Sequence, residues 1–365
     1  MEEPFVVAVI GCGWAGTRHA RAFHEAGAVV GWCVDVDASR AEALARALGQ
    51  GEPATDYRRA LDDPRVDAVS VCLPHNLHAD VSRDAAAAGK HVLCEKPLAD
   101  TLANADRMIA AAEEAGVVLM VAENVRFSPI YHKVRELIEG GVIGQPALLQ
   151  MTRQCYLNRS FLEERPWFLD AGAAAGGIMM SGGIHDVETM RMLLGEIESV
   201  YALRARQRFL EMEGDDTSVA LIRFRDGVAG TLVESFTMKS LATAAGSEVH
   251  TLRIDGNLGH LAVVDPTTIR VFSERPDYAP GGALMEHSIH VPPADTFALE
   301  VAHFMQCIRS GDEPITSGRL QRRPLEIVLA AYRSMETGRP VRLQRLAWTR
   351  RRVSFRRQSG RAGRT

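Results

Sequence analysis

An apolar run at residues 5–10 passes directly into Gly11-Cys12-Gly13-Trp14-Ala15-Gly16. A helical pattern follows, with Ala20, Phe23 and Ala26 at three-residue steps and Gly27 as its stop. Strand, G-x-G-x-x-G turn and helix in succession commit the chain to a βαβ beginning. The glycines permit the tight turn, let backbone approach a pyrophosphate, and let the helix pack closely on the strand. The next apolar run, residues 29–34, ends in Asp35, at roughly the 20-residue offset from which an acid hydrogen-bonds the hydroxyls of an adenosine ribose. The glycine motif alone is weak, but strand, turn, helix, strand and acid in register predict a dinucleotide site. Its first candidates are Gly11, Gly13, Trp14, Ala15 and Asp35. A carboxylate at Asp35 repels a 2′-phosphate and Val36 follows it, so NAD is favoured over NADP; Arg40 is the nearby cation that could swing in.

The alternation continues as a doubly wound pattern, with helices at 40–48, 57–61, 84–88 and 102–115 and strands at 68–73, 91–94 and 117–122. In such sheets the loops after the strands gather at the carboxyl edge, where ligands bind. This marks Leu73, Pro74, Asn76, His78, Glu95, Lys96 and Asn124 as cofactor contacts, with His75 and His78 read as structural or cofactor-lining residues. Glu95-Lys96-Pro97 puts an ammonium beside a carboxylate on a proline-stiffened turn. By itself that reads first as a surface ion pair ending a strand.

After Phe127 one more helix, at 130–140, gives way to strand-like stretches at 147–156, 200–209, 218–224, 228–236, 249–255, 260–264 and 269–272. Turns at Asp226-Gly227 and Asp255-Gly256 fit antiparallel pairing. Helices return at 298–309 and 324–337. The predicted fold is α/β: a Rossmann sheet followed by an α/β domain with a large, mainly antiparallel open sheet. The domains expected are 1–124 for NAD, 125–345 for substrate binding and oligomerisation, and a basic, disordered tail at 346–365.

Glycines also cluster between residues 176 and 183, where no hairpin is predicted, which points to backbone lying close to a ligand or another chain segment. A helix then begins, with His185 in its first turn. A helix N-terminus disfavours the imidazolium, and a neutral imidazole is what a general base must be. A capping or core histidine fits this context equally well.

Composition narrows the function classes. The chain is 46% hydrophobic and 24% charged with net charge −4, an ordinary globular balance that argues against a polyanion binder. The Arg-rich end is the exception, as a solvated tail or a nucleic-acid or acidic-partner arm. Six cysteines without C-x-x-C spacing support neither zinc nor a disulfide framework, and no metal is expected. An acidic N-terminus and the lack of an apolar run of about 18 residues predict a cytoplasmic protein with no membrane span.

Gly11 to Gly16, Asp35, Glu95-Lys96-Pro97, Arg126-Phe127 and the glycine-rich segment ending in His185 together resemble the glucose-fructose oxidoreductase, inositol dehydrogenase and rhizopine-catabolism (Gfo/Idh/MocA) family, in order and over residues 5–345. The resemblance implies NAD(P)-dependent redox chemistry at a secondary alcohol or ketone of a sugar or cyclitol. It also implies a homodimer or homotetramer built through the open sheet. It makes Lys96 and His185 the catalytic pair, Lys96 touching nicotinamide ribose and reacting oxygen, and His185 the acid/base. Many members carry an aspartate four residues before the histidine; here that residue is Ser181. Serine can bond a hydroxyl but cannot stabilise an imidazolium. Asp186 and Glu188 lie nearby, though as helix neighbours they need not face His185. Substrate contacts are expected from Lys96, Arg126, Tyr156, Arg159, Trp167, Ser181 and His185, with Asn158 and Arg165 as further candidates. Rival functions are redox-assisted elimination or glycoside cleavage with transient NADH, an NADPH reductase, and a non-catalytic NAD-binding regulator.

Overall fold

The computed structural model describes residues 4–209, 211–240 and 248–345. The arginine-rich tail, 346–365, lies outside the described residues.

The first sheet contains β1 (Val6–Ile10), β2 (Val29–Val34), β3 (Glu52–Ala54), β4 (Ala68–Val71), β5 (His91–Glu95) and β6 (Leu119–Ala122). They pair in the order β3-β2-β1-β4-β5-β6, all parallel. Every residue of β4 and β6 is buried, because crossover helices cover both faces of a parallel sheet. The strand order reverses between β1 and β4, the switch point that opens a crevice at the carboxyl edge. Ile10 is level with both Val34 and Val71, so Gly11, Asp35 and Cys72 leave the sheet together. Glu95 is level with Ala122, so Lys96 and Glu123 also leave it side by side.

The second sheet contains β7 (Pro146–Gln154), β8 (Ile197–Arg204), β9 (Thr217–Phe224), β10 (Ala229–Ser235), β11 (Val249–Gly256), β12 (Gly259–Asp265), β13 (Thr268–Ser273), β14 (Glu286–His290) and β15 (Val341–Arg342). Its order is β14-β13-β12-β11-β7-β10-β9-β8-β15, and β7 with β10 is the parallel pair in an otherwise antiparallel sheet. One face shares a core with the helices Gly183–Leu194 and Gly318–Thr337 through Met151, Ile222, Leu232, Met190 and Val328. The other face leaves Leu203 and Leu221 half exposed.

Two expectations are corrected. The strand predicted over 200–209 ends at Arg204, because Asp216 Oδ2 accepts the backbone N–H groups of Arg208 and Phe209 at 2.6 and 2.8 Å and draws the chain into a loop. The helix Thr296–Ser310, expected in the second domain, lays Phe297, Val301, Phe304 and Met305 into the core of the first, against Val9, Phe23 and Leu93. Its apolar stripe fits either sheet, and only tertiary packing selects one.

Among the described residues no helix is long and apolar enough to cross a membrane, and no cluster of His, Cys, Asp and Glu is placed to hold a metal.

Candidate active site

The glycine turn is shaped by contacts that a side chain would destroy. Gly11 sits at φ +96°, and a Cβ there would lie 2.1 Å from the Cys72 carbonyl oxygen; a Cβ on Gly16 would lie 1.8 Å from the Gly11 oxygen. Over Gly13, by contrast, the space is open. Gly13 precedes the helix Trp14–Glu25 and offers no capping side chain, so the free N–H groups of the first turn face that space and suit a pyrophosphate. Asp35 is oriented by two backbone donors, Cys12 N–H at 2.9 Å and Asp37 N–H at 3.0 Å. Arg40 is exposed, its Nε 3.6 Å from Asp37 Oδ2. These residues fit a dinucleotide.

The loops after β4 and β5 are tied together beneath their surface. His78 is fully buried, its ring nitrogens 2.8 Å from the Pro97 carbonyl oxygen and 2.9 Å from that of Leu73. Of the two readings of His78, structural or cofactor-lining, these bonds favour the structural one, a brace between the two loops. Leu73 and Pro74 are half-buried and Asn76 is exposed above them. Glu95 Oε1 is 3.2 Å from His19 Nε2, and Oε2 accepts the Lys96 N–H at 3.1 Å. Burial works against ionisation of Glu95, but the hydrogen bond and charge of His19, together with Lys96 and His185, outweigh it and lower the Glu95 pKa, so a carboxylate stands beside Lys96. Asn124 donates to Thr296 at 3.0 Å, which ties β6 to the returning helix.

The second domain brings one corner to this edge. The glycine cluster is packed against protein: a Cβ on Gly177 would lie 1.9 Å from the Asp215 carbonyl oxygen. The helices Ile178–Ser181 and Gly183–Leu194 can therefore fold back tightly. Lys96 Nζ donates to the Ser181 carbonyl oxygen at 2.8 Å. The Ser181 hydroxyl donates 2.8 Å back to the Gly177 carbonyl oxygen.

Four residues later His185 faces the same space, its side chain 14% exposed. Its Nδ1 lies 2.5 Å from Oε1 of Glu123, a fully buried carboxyl group at the end of β6. Sequence reasoning passed over Glu123; the register of β5 with β6 is the signal that could have placed it. Burial, reinforced by Lys96 and Arg153, holds the His185 pKa well below the ordinary imidazole value. The Nε2 atom is thus the ring nitrogen left for a substrate. Burial also lowers the Lys96 pKa, against the opposing pull of Glu95 and Glu123.

Residues 5–123 match the model described as an oxidoreductase family with an NAD-binding Rossmann fold, and residues 131–262 match the GFO/IDH/MocA C-terminal domain. The chain belongs to the Gfo/Idh/MocA oxidoreductase family. It is 30% identical to a myo-inositol 2-dehydrogenase of Thermotoga maritima over 93% of this chain and 98% of that protein. It is 31% identical to a scyllo-inositol 2-dehydrogenase (NAD(+)) of Bacillus subtilis over 94% and 97%. Its fold superposes on a levoglucosan dehydrogenase solved with NADH and levoglucosan with a TM-score of 0.83 at 24% identity, covering 94% of this chain and all of that one.

In this Gfo/Idh/MocA chain the remaining candidates divide. Trp167 packs edge-on to His75, ring centroids 5.1 Å apart, which joins the second-domain loop to the loop after β4. Tyr156 lies beneath Lys239, 4.5 Å from its ring. Arg159 is 92% exposed and paired with Glu163, so the structure does not bring it to the Lys96–His185 corner. Asn158 caps the helix Arg159–Glu164, and Arg165 stacks on Phe161. Arg126 pairs with buried Glu188 at 3.8 Å, and its Nε and Nη1 have no hydrogen-bond partner among the described residues. Asp186 faces Arg153 at 2.7 Å and His250 at 3.0 Å. Neither Asp186 nor Glu188 therefore bonds to His185.

Proposed function

We propose that the protein is an NAD-dependent dehydrogenase acting on a secondary alcohol, or the corresponding ketone, of a sugar or cyclitol. The observation that carries this reading is the convergence of Lys96, from the turn after β5, and His185, from the second domain, on one corner at the carboxyl edge of the parallel sheet, by the ends of β5 and β6. A nicotinamide bound there supplies the hydride acceptor or donor. His185 Nε2 accepts the hydroxyl proton, and the Lys96 ammonium stabilises negative charge as it grows on the same oxygen. Asp35 holds the adenosine ribose and disfavours a 2′-phosphate, which supports NAD over NADP. The inositol dehydrogenases among the relatives support a cyclitol or sugar as substrate. The half-exposed Leu203 and Leu221 on the open sheet support assembly into a homo-oligomer through that face.

A screen of inositols and aldoses with NAD and with NADP, followed by absorbance of the reduced cofactor, tests the reading. Turnover with a polyhydroxylated substrate, lost in His185→Ala with NAD binding retained, is expected. Full turnover in His185→Ala would overturn the assignment of the base, and light scattering at a single-chain mass would overturn the assembly.

A further inference from the structure

Glu123 has no role in the reading above, yet it is built into the centre of the site. It is fully buried, Oε1 is 2.5 Å from His185 Nδ1, and Oε2 has no hydrogen-bond partner among the described residues. An ionised carboxylate enclosed in this way loses its hydration without gaining a second donor. The charged and titratable groups facing the pair are Glu95 at the end of β5 and Lys96 after it, Arg153 on β7, Asp186 and Glu188 on the helix Gly183–Leu194, and Glu300 on the helix Thr296–Ser310. Lys96 and Arg153 favour ionisation of Glu123, and Glu95 and Asp186 oppose it.

Burial decides the balance and pushes the Glu123 pKa up to about 8. The same burial resists a charged His185 ring. The pair therefore has two low-charge forms that differ by one proton. In the first, Glu123 is ionised, Nδ1–H donates to Oε1, and Nε2 carries a bare lone pair. In the second, Glu123 is protonated and donates to Nδ1, and Nε2 carries hydrogen.

We infer that Glu123 is the final holder of the substrate's proton, with His185 relaying it between the substrate oxygen and the Glu123 carboxylate. The inference rests on the assignment of His185 made above. In alcohol oxidation the substrate O–H bond breaks and its proton binds Nε2, while the Nδ1–H bond breaks and that proton binds Oε1. The C–H electron pair departs with its hydrogen to the oxidant, a nicotinamide dinucleotide. Ketone reduction runs the same transfers backward. No imidazolium has to persist in a buried site that already holds two cations. The carboxylate absent at position 181 is thus supplied from the other domain. Glu123 acts through His185 and is a positioning and proton-holding residue.

Glu123→Gln keeps the shape and can accept a hydrogen bond but cannot take the proton. It is expected to lower kcat by about 10²-fold with KM and NAD affinity nearly unchanged, and to remove the pH dependence near 8 that Glu123→Asp restores. Infrared titration of the protein without cofactor gives a readout independent of turnover. A protonated-carboxyl band should fade through about pH 8 in the unaltered protein and be missing from Glu123→Gln. If His185→Ala is inactive while folded Glu123→Gln keeps the full rate and the same pH profile, the relay is refuted and the base assignment stands. If His185→Ala stays active, the base assignment itself fails. Should Glu123→Gln not fold, a carboxyl band that titrates only near the ordinary glutamate range overturns the relay, and one that fades near 8 supports it.

Discussion

Lys96 Nζ donates 2.8 Å to the main-chain carbonyl of Ser181 rather than to its side chain. The ammonium of the first domain is thereby fixed to the second by a main-chain acceptor that every residue type at 181 retains. The Ser181 hydroxyl is already engaged with Gly177. Ser181→Ala should therefore keep kcat within about threefold, the loss of one neutral hydrogen bond being worth about 1 kcal/mol or less to stability. Lys96→Met, which keeps the stem and removes the charge, should lower kcat by about 10²–10³-fold while NAD still binds. Steady-state kinetics and cofactor fluorescence titration separate the two, and a hundredfold loss in Ser181→Ala would place its hydroxyl in the substrate's path.

Asp35 is the lever on cofactor choice. Its oxygens are oriented by the Cys12 and Asp37 N–H groups, so the carboxylate is held in place before a ribose arrives. Asp35→Ser should weaken NAD by about 10- to 100-fold, as expected for losing charge-assisted hydrogen bonds of about 1.5–3 kcal/mol. It should also narrow the gap to NADP by removing the repulsion of the 2′-phosphate. Titration with both dinucleotides checks this; unaltered preference would put the ribose elsewhere.

The parts of this molecule readable from sequence are those encoded locally. Gly11, Gly13 and Asp35 declare themselves because a turn and a strand end need those residue types at fixed offsets. Lys96 and His185 were legible as members of such a turn and such a helix. Glu123 was not, since a glutamate after a strand carries no local sign that a histidine 62 residues later will meet it. Likewise, the position of Arg153 between Asp186 and Glu248 depends on β7 and β11 pairing across the sheet. The helix Thr296–Ser310 shows the same limit, because an amphipathic stripe specifies burial but not the surface that buries it.

The Glu300 carboxyl is fully buried with neither oxygen hydrogen-bonded among the described residues, His19 Nε2 lying 4.0 Å from Oε1. Burial raises its pKa well above the ordinary value, against the opposing influence of His19. The folded state thus binds this proton more tightly than the unfolded chain. The stabilising contribution is complete below the unfolded value of about 4.3 and is lost as pH rises through the folded one. Glu300→Gln has no such proton, so its Tm should gain on that of the unaltered protein as pH rises. Thermal melts in buffers from about pH 5 to 9 check the sign; parallel curves would mean that Glu300 is ionised in the fold.

Tyr332 holds the corner on which Lys96 rests. Its hydroxyl accepts the Gly177 and Met180 N–H groups at 2.9 and 3.1 Å and donates to Asp215 Oδ1 at 2.7 Å. Tyr332→Phe would strand two backbone donors and a carboxylate oxygen, and each unmet group costs about 1–3 kcal/mol, with partial relaxation keeping the sum near 3 kcal/mol. The helix Ile178–Ser181 would lose one of its anchors, Asp215 still accepting the Ile178 and Met179 N–H groups, while its carbonyl is still required by Lys96. Urea unfolding should therefore show the stability loss, and at temperatures where the variant remains folded kcat should fall by less than it does in Lys96→Met. A full stability loss with unchanged kcat would show that the packing of Gly177 against Asp215 suffices to place the acceptor, and that Tyr332 serves the fold alone.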